Sequence, residues 1–380
     1  MQDSCAIFVR LRSACGSAYA ATATPAPGRR RPSRQRGATL RIKLHDVAQR
    51  AGVSEATVSR VVNAKPGVSD RKRAEVLAVL AELGYEPPEL RRTDRLRTIG
   101  LIVPELDNPI FPAFSQAIEA QLASAGCMAV LCCAGRNGSA EADYLSTLVD
   151  QNVAGIIVVS GLHAIDDADH RMYHAVGNRR IPMVFVGGGV NGLSVPSVST
   201  DEAEAARMAV AHLAHLGHER IGFLTGPRNH RGVMRRLEGY RSAMSATNGD
   251  VDDSLIESSL FSVEGGRVGA HHLLTSGATA IMAGSDVMAL GAIRAVRETG
   301  RDVPGDVSVV GYDDTDLMAF TDPPLTTIRQ PVAAITDHAV ELLLAQIGGG
   351  PVTTSEFLVR PDLIVRGSTG RTQASVLARS

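Results

Sequence analysis

Residues 44–63 read LHDVAQRAGVSEATVSRVVN, and this stretch decides the fold of the first part of the chain. Asp46 suits the first turn of a helix, and Gly52 can take the left-handed conformation that ends one. Two residues later, Ser54 is a good N-cap for a second helix. The stretch therefore predicts two helices joined by a tight turn, a helix-turn-helix head within residues 41–85.

The second predicted helix has two chemically different sides. At 100° per residue, Val58, Val61 and Val62 fall on one side and are expected to face a core. The residues on the opposite side are Ala56, Arg60 and Asn63. A plain packing unit of three helices with solvated charges is the alternative, but it gives no reason for small polar residues across the exposed side.

The start of this helix suits the major groove of DNA, which a recognition helix enters with its N-terminal residues. Arg60 can bond guanine O6 and N7 together, and Glu55 can accept a bond from cytosine N4. Ala56 is small enough to pack on a thymine methyl group. Hydroxyl and cationic side chains nearby suit phosphates, which fix the register of a protein on DNA. They are Lys43, Ser54, Thr57, Ser59, Ser69 and Arg71.

The charge distribution agrees with a DNA-binding head. The 380 residues carry a net charge of −1, but residues 1–40 carry +6, residues 41–97 carry +4 and residues 98–380 carry −11. This asymmetry predicts that the basic head binds a polyanion and that the body which follows it is acidic.

Residues 1–39 are predicted to be a disordered basic leader, because Pro25–Gly37 combines proline, glycine and like charge. Two interpretations of the leader stay open. It is either an arm that clings to DNA phosphates or an extension outside a working protein that starts near Leu40.

From Thr98 onward, short apolar runs alternate with amphipathic helices. Runs such as AGIIVVS (154–160) and VSVVGY (307–312) are typical of parallel strands that are covered on both faces. Two such series predict two Rossmann-like lobes, with a ligand crevice at the carboxyl ends of their strands.

We expect this body to span residues 98–370. Its first lobe is predicted to hold residues 98–196 and part of 329–360. Its second lobe is predicted to hold residues 197–325 and the C-terminal strands.

Asp313 is a candidate ligand group in this body. It follows VSVVGY, where α/β sheets present ligand contacts, and its carboxylate can take a bidentate pair of sugar hydroxyls. The alternative role for Asp313 is the N-cap of a helix. His212, His215 and His218 recur at every third residue, but the leucines and alanines between them favour a surface stripe over a metal site.

Several classes of protein are excluded at this point. The sequence shows no nucleophile with a partnered base, no Walker loop and no paired-cysteine metal motif, so we expect no catalytic residue, cofactor or metal. No apolar run approaches the roughly 18 residues of a membrane span. Five cysteines do not make a disulfide framework, and the first residues do not form a secretory signal. A cytoplasmic binding protein is expected.

The head and the body both resemble one known family. The stretch DVAQRAGVSEATVSRVVNAKPGVSDRKRAEVLAVLAELGYEP, with IGLIVPELDNPIF, GSDVMALGAI and VPGDVSVVGYDD further on, is similar to the LacI/GalR (lactose-repressor) family of bacterial transcription regulators. The resemblance covers residues 42–368. It implies an all-α helix-turn-helix head followed by an α/β periplasmic-binding-protein-like domain that binds an effector and forms a dimer.

The function that this resemblance implies is repression of transcription. A homodimer would bind near-palindromic operator DNA, and a sugar-like effector between the two lobes would control its affinity. Within the head, Glu55 and Ala56 would choose the operator, and Arg60 would make a common base contact. A tetramer stays open, as does the choice between inducer and corepressor.

The resemblance also implies which residues contact the effector. Arg236 matches a ligand-site arginine, while Phe111 and Phe261 match aromatic walls. The other matched positions are Asn108, Ser160, Asp201, Ser285 and Asp286. The chain departs from the family at Met234 and Gly187, where an arginine and an aspartate are common, and this leaves a purine-type corepressor as an alternative to a sugar.

The segment between head and body departs further. Residues 86–97 are expected to form a hinge or linker, but PPELRRTDRLRT replaces the family's usual hinge pattern. Leu90 is the candidate for the leucine that the family inserts into the minor groove, with Leu96 second. A plain polar linker is the alternative. For the whole chain, a two-lobed solute-binding protein is the alternative from another class, although it would require a secretion signal and no helix-turn-helix.

Overall fold

The computed structural model describes residues 44–62, 67–83, 96–135, 137–249, 251–351 and 354–372. The chain divides into two compact units, Met1–Arg92 and Thr93–Ser380. Several predictions lie outside the described residues. They concern the leader 1–39, Lys43, Asn63 and Leu90.

The described part of the first unit is a bundle of the helices α1 (Leu44–Ala51), α2 (Glu55–Val62) and α3 (Asp70–Glu82). Apolar residues from all three helices form one core. The buried members are Val47, Ala48, Val58, Val61, Val62, Val76 and Leu80. The predicted helix-turn-helix is confirmed, with the three valines of α2 on its buried side.

The second unit alternates strands and helices. Its strands are β1 (Arg97–Val103), β2 (Cys127–Cys133), β3 (Gly155–Val159), β4 (Met183–Val186), β5 (Ser197–Thr200), β6 (Ile221–Thr225), β7 (Ile256–Ser258), β8 (Ala280–Ala283), β9 (Ser308–Asp313), β10 (Thr326–Arg329), β11 (Glu356–Val359) and β12 (Asp362–Ile364). Its helices are α4 (Ile110–Ser124), α5 (Glu141–Asp150), α6 (Arg171–Asn178), α7 (Glu202–His215), α8 (Arg231–Asn248), α9 (Val263–Thr275), α10 (Asp286–Glu298) and α11 (Val332–Ile347). Within the described ranges, every helix is too short or too polar to span a membrane.

The strands form two six-stranded sheets, one in each lobe. The first has the order β11-β5-β4-β3-β1-β2 and is parallel throughout. The second has the order β12-β10-β9-β8-β6-β7, and only its edge strand β12 runs antiparallel. Central strands such as β3 and β6 are buried along their whole length. This confirms the two parallel-sheet lobes predicted from the apolar runs.

Helices cover both faces of each sheet. In the first lobe, α4 and α11 pack on one face, and α5 and α6 pack on the other. In the second lobe, α9 and α10 cover one face, and α7 and α8 cover the other. Each lobe is thus a three-layer sandwich, and the carboxyl ends of its parallel strands are left for a site.

The chain crosses between the lobes at three places: after β5, after β10 and between β11 and β12. The predicted end of the first lobe at residue 196 is therefore wrong. Ser197–Thr200 pairs with β4 and β11, so the first sheet reaches residue 200. The C-terminal strands are also shared, because β11 joins the first lobe and only β12 joins the second.

Candidate functional site

The turn of the head is built by two residues. Gly52 has φ +62°, a left-handed conformation that most side chains disfavour, and it lets the chain reverse after α1. Ser54 then caps α2, because its Oγ accepts a hydrogen bond from the backbone N–H of Thr57 over 3.2 Å. These two local devices set the direction of the recognition helix.

Most of the residues predicted to contact DNA lie on the surface of the head. The exposed ones are Ser54, Glu55, Ala56, Arg60, Ser69 and Arg71. Thr57 and Ser59 are partly buried. Since Val58, Val61 and Val62 occupy the core side of α2, its other side is free for a partner.

Two contacts on the head could not be read from the sequence. Glu55 Oε1 lies 3.0 Å from His45 Nδ1, and Arg71 Nε donates to Glu75 Oε1 over 3.1 Å. Both pairs are solvent-exposed, so each is worth less than about 1 kcal/mol and can yield to DNA groups. They orient the Glu55 and Arg71 side chains but leave both able to bond DNA groups instead.

A cavity of about 230 Å³ lies between the two lobes, at the carboxyl ends of the strands of both sheets. Loops from each lobe contribute to its wall. Seven of the nine residues predicted to contact the effector line it. They are Asn108, Phe111, Ser160, Arg236, Phe261, Ser285 and Asp313.

Asp313 ends β9 and is almost fully buried. Its Oδ1 accepts a hydrogen bond from Gln330 Nε2 over 2.8 Å. Its Oδ2 is buried and makes no hydrogen bond of good geometry with the described residues, although the Asn108 side chain lies close enough to the carboxylate to lower its pKa. Burial, and then the nearby Asp286, raise the pKa of Asp313 well above its usual range. The N-cap alternative does not hold, because the next helical turn, Asp316–Ala319, has Thr315 at its N-cap position.

Arg236 is buried and already neutralised by the protein. Its Nε lies 2.9 Å from Glu202 Oε2, and its NH1 donates to the carbonyl oxygen of Gly284 over 2.8 Å. The guanidinium also stacks on the ring of Tyr312, 4.0 Å from its centroid. Tyr312 OH donates to Glu202 over 2.9 Å. This group forms a polar floor that brings no unpaired positive charge into the cavity.

Aromatic rings form the apolar part of the wall. The Phe261 ring packs over Gly226, where a Cβ atom would come within 2.0 Å of Phe261 Cζ. The His230 ring meets Phe261 edge to face at 6.3 Å. Burial lowers the pKa of His230 to about 4, so its imidazole is neutral at physiological pH. Aromatic faces beside hydrogen-bonding groups suit a ligand with both apolar faces and polar edges.

Two residues predicted to contact the effector do not line the cavity. Asp201 caps α7 by accepting a hydrogen bond from Glu204 N over 3.0 Å. Asp286 accepts from Thr327 Oγ1 over 2.6 Å and from Thr315 N over 3.1 Å. The structure therefore places Asp201 at a helix cap and Asp286 among hydrogen bonds within the second lobe, and it brings neither to the cavity wall. Their assignment as effector contacts stays a prediction.

The cavity also has polar lining residues that the sequence prediction missed. They are Glu105, Thr200, Glu202, His230, Tyr312 and Gln330. One signal could have revealed Gln330. Strand β10 runs parallel to β9, and its last residue lies opposite Asp313, the last residue of β9. Gln330, the residue after β10, therefore lies at the same edge of the sheet as Asp313. Tyr312 and Glu202 sit next to predicted residues, but sequence alone does not show that their side chains meet Arg236.

The predicted histidine surface stripe is wrong for His218. Its side chain is buried and lies 2.9 Å from Ser308 Oγ, 3.1 Å from Thr279 Oγ1 and 3.0 Å from the carbonyl oxygen of Gly370. It ties the C-terminal segment to the second lobe. Among the described residues, no group of three His, Cys, Asp or Glu side chains could hold a metal ion.

Two family models match the chain. Residues 43–88 match "Bacterial regulatory proteins, lacI family", and residues 210–369 match "Periplasmic binding protein-like domain". The regulator reg1 of Streptomyces lividans is 48% identical over 332 residues, which are 86% of this chain and 96% of that protein. The regulator MalR of Streptomyces coelicolor is 48% identical over 331 residues, 86% of this chain and 96% of that protein.

Solved structures agree. A complex of the transcriptional regulator CelR with cellobiose has a TM-score of 0.66 and 33% identity, covering 86% of this chain and all of that one. The lac repressor dimer bound to operator and the anti-inducer ONPF has a TM-score of 0.66 and 30% identity, covering 87% of this chain and 99% of that one. With relatives of nearly full length at 48% identity, this chain belongs to the LacI family of DNA-binding transcriptional regulators, whose members join a helix-turn-helix head to a two-lobed, periplasmic-binding-protein-like domain.

Proposed function

We propose that this regulator is a repressor that binds near-palindromic operator DNA as a homodimer, and that a neutral, sugar-like effector in the inter-lobe cavity controls its affinity. The observation that carries the effector proposal is the buried Oδ2 atom of Asp313, which makes no hydrogen bond of good geometry with the described residues and belongs to the cavity wall. A buried polar atom in a ligand-sized cavity is expected to find its partner in the ligand.

The chemistry of the lining favours a polyhydroxyl compound. Phe111 and Phe261 offer faces on which the apolar side of a sugar ring stacks. Asp313, Glu202 and Gln330 offer hydrogen bonds at the edges, and the one lining arginine is already paired. The solved CelR complex, which has the same fold, contains cellobiose.

The purine alternative rested on missing polar groups at Met234 and Gly187. The cavity compensates for them with His230 and Gln330, which line it although the sequence prediction did not include them. With these polar groups present, the departures at Met234 and Gly187 do not argue against a sugar-like effector.

Self-association is supported by exposed apolar side chains in the second lobe. Phe320 is 85% exposed and Leu317, in the same short segment, is 64% exposed. Apolar residues this exposed mark an interaction surface when they lie together. The assignment of residues 86–97 as a hinge and of Leu90 as a minor-groove wedge remain predictions.

The DNA proposal is tested by selection from random oligonucleotides with the full-length protein. The wild type is expected to select a near-palindrome, with an affinity that falls steeply with salt. Arg60→Ala should lose about 1–3 kcal/mol and relax one base position in each half-site, while Arg71→Ala should weaken all sequences equally. A wild type without sequence preference would refute operator binding, and unchanged selectivity in Arg60→Ala would remove Arg60 from the base contacts.

The effector proposal is tested by thermal shift and operator release with neutral mono- and disaccharides, nucleosides and free purines. A sugar is expected to raise the melting temperature of the wild type, because it binds only the folded state. Asp313→Ala should lose most of that shift. The matched control is Asp316→Ala, at an exposed carboxylate in the next turn, which should keep it. A shift from purines alone would overturn the sugar, and an undiminished shift in Asp313→Ala would remove Asp313 from the site.

A further inference from the structure

The first turn of α8, in the second lobe, contacts the first lobe through Arg231. Its Nε and NH2 atoms lie 3.1 Å and 2.8 Å from Asp166 Oδ1. Its NH1 donates to the carbonyl oxygen of Gly189. Asp166 follows β3 and Gly189 follows β4, so one side chain bonds two loops of the opposite lobe. The Arg231 side chain is only 16% exposed.

The loop before α8 adds backbone contacts to the same place. Ile165 and His230 form an antiparallel bridge, and Asp166 N donates to the carbonyl oxygen of Asn229 over 3.0 Å. The Asn229 side chain donates to Asp167 Oδ1 over 3.0 Å. These bonds exist only while the two lobes lie close together.

One turn further along α8, Arg235 makes a second contact between the lobes. Its NH1 and NH2 atoms donate to the two carboxylate oxygens of Glu356 over 2.6 Å and 2.7 Å. Glu356 lies on β11 in the first sheet, where Ser199 Oγ also donates to it over 2.7 Å. Burial favours a higher pKa for Glu356, but the bonds from Arg235 and Ser199 outweigh it and lower the pKa. The paired, two-pronged geometry is the strong form of an arginine–carboxylate contact.

Neither arginine lines the effector cavity, although both flank residues that do. Arg231 and Arg235 are four residues apart and share one face of α8, whereas Arg236 is turned by about 100° and lines the cavity. Gly188 leaves room for this arrangement, since a Cβ atom there would come within 3.3 Å of Arg231 Cδ.

We propose that Arg231 and Arg235 form an arginine latch, a pair of positioning residues that hold the lobes closed and thereby set the affinity for the effector. The effect on effector affinity rests on the proposed function, but the contacts of Arg231 and Arg235 between the lobes do not depend on it. An effector that contacts both lobes binds the closed arrangement, so its apparent dissociation constant is the intrinsic one divided by the closed fraction. Breaking the latch lowers that fraction without removing any contact to the effector.

The latch also links effector and operator. If closure changes how the heads engage DNA, a weaker latch changes the operator affinity and the effector affinity together, by reciprocal coupling. Arg231 and Arg235 would then tune the concentration of effector at which the regulator responds.

The first test measures hydrogen exchange at the Asp166 amide in the full-length protein, with no effector added. This amide bonds across the cleft and exchanges when the lobes part. Arg235→Ala is the informative variant, because Arg235 does not touch the 165–167 loop. It is expected to speed exchange at Asp166 about tenfold, the effect of losing a hydrogen bond to a charged group.

Two further variants make the result specific. Arg235→Lys should exchange more slowly than Arg235→Ala, because its ammonium can still pair with Glu356. Arg241→Ala is the matched control, because Arg241 lies on the same helix but pairs with Asp253 in its own lobe. It should leave exchange at Asp166 unchanged. Unchanged exchange in Arg235→Ala, or exchange in Arg235→Lys as fast as in Arg235→Ala, would overturn the latch.

The second test measures the dissociation constants of cellobiose and maltose by calorimetry. A sugar that binds the wild type should bind Arg231→Ala and Arg235→Ala about tenfold more weakly and Arg241→Ala equally well. Equal binding by all variants would overturn the link to the effector. If Asp166 exchange responds while neither the disaccharides nor the wider panel binds the wild type, the latch stands and the proposed sugar effector fails.

Discussion

The replacement Asp286→Asn should change how the stability of the body depends on pH. Asp286 is the first residue of α10 and is 1% exposed. Its two bonds, from Thr327 and Thr315, favour the charged carboxylate. Burial outweighs them and raises its pKa to about 7, with a further contribution from the nearby Asp314. The folded protein therefore holds a proton on Asp286 that the unfolded chain releases.

The size and sign follow from the two pKa values. A pKa that rises from 3.8 to about 7 corresponds to about 4 kcal/mol, and this is an upper bound for Asp286 alone, because its charge also raises the pKa of the neighbouring Asp313 and the two carboxyls titrate together. Since the folded pKa is the higher one, this stabilisation is complete below pH 4 and is lost as the pH rises through about 7. Asparagine does not titrate, so the free energy of unfolding of the variant relative to wild type should increase between pH 4 and pH 8.

Urea unfolding of the full-length protein, followed by far-ultraviolet circular dichroism at pH 4.5, 6 and 8, measures this difference. Asp316→Asn is the control, because Asp316 is an exposed carboxylate of the same lobe and its replacement should change the free energy of unfolding by less than about 0.5 kcal/mol. A constant difference between Asp286→Asn and wild type across this range would refute the buried, protonated carboxyl.

Two other substitutions test the cavity wall and the dimer. Gly226→Ala should abolish effector binding, because its Cβ would come within 2.0 Å of Phe261 Cζ and displace the ring. The fold should survive at a cost of about 1–3 kcal/mol. Calorimetry measures the binding, and the control Gly305→Ala, whose nearest contact is at 3.5 Å, should bind normally. Phe320→Asp should convert the dimer to monomer in sedimentation at micromolar concentration, because it places a charge on the exposed apolar surface of the second lobe. Leu358→Asp, at a 57% exposed site on β11 in the first lobe, should leave the mass unchanged, and a dimeric Phe320→Asp would contradict the proposed interface.

The head could be predicted closely because everything that defines it is local. Gly52 and Ser54 act within one turn of their own helices, and the valines of α2 reveal the buried side through their spacing alone. The central strands could be predicted from the sequence equally well. Strands that are buried on both faces are apolar throughout, and this composition marks them without knowledge of their partners.

Membership of a lobe is not local, and the sequence failed to predict it. Ser197–Thr200 is a four-residue strand of three hydroxyl residues and one valine, so it lacks the apolar run that marks the others. It belongs to the first lobe because it pairs with β4 and with β11, a strand more than 150 residues further along the chain. A boundary drawn from apolar runs alone therefore fell one strand early.

The same dependence on residues distant in sequence explains why Asp313 lines the cavity and Asp286 does not. Asp313 is the last residue of β9 and Asp286 lies three residues past the end of β8, so both lie at carboxyl ends of strands, and nothing in their immediate sequence separates them. Thr327, whose hydroxyl donates a hydrogen bond to Asp286, lies 41 residues away in sequence. Which carboxylate faces a ligand is decided by such distant partners, and these appear only in the folded chain.

The position of Asp313 also depends on its neighbour. Asp313 and Asp314 have φ +129° and +57°, conformations that cost non-glycine residues of order 1–3 kcal/mol each. The Asp314 carboxylate is 3% exposed and bonds Arg329 and Arg366, both over 2.6 Å. Arg329 ends β10 just before a crossover between the lobes, and Arg366 belongs to the C-terminal segment that follows the last crossover. The two ion pairs offset the strain and fix the turn that presents Asp313 to the cavity. Because their arginines lie beside the crossovers, we expect a rotation of the lobes to act on the turn that holds Asp313, the proposed effector contact.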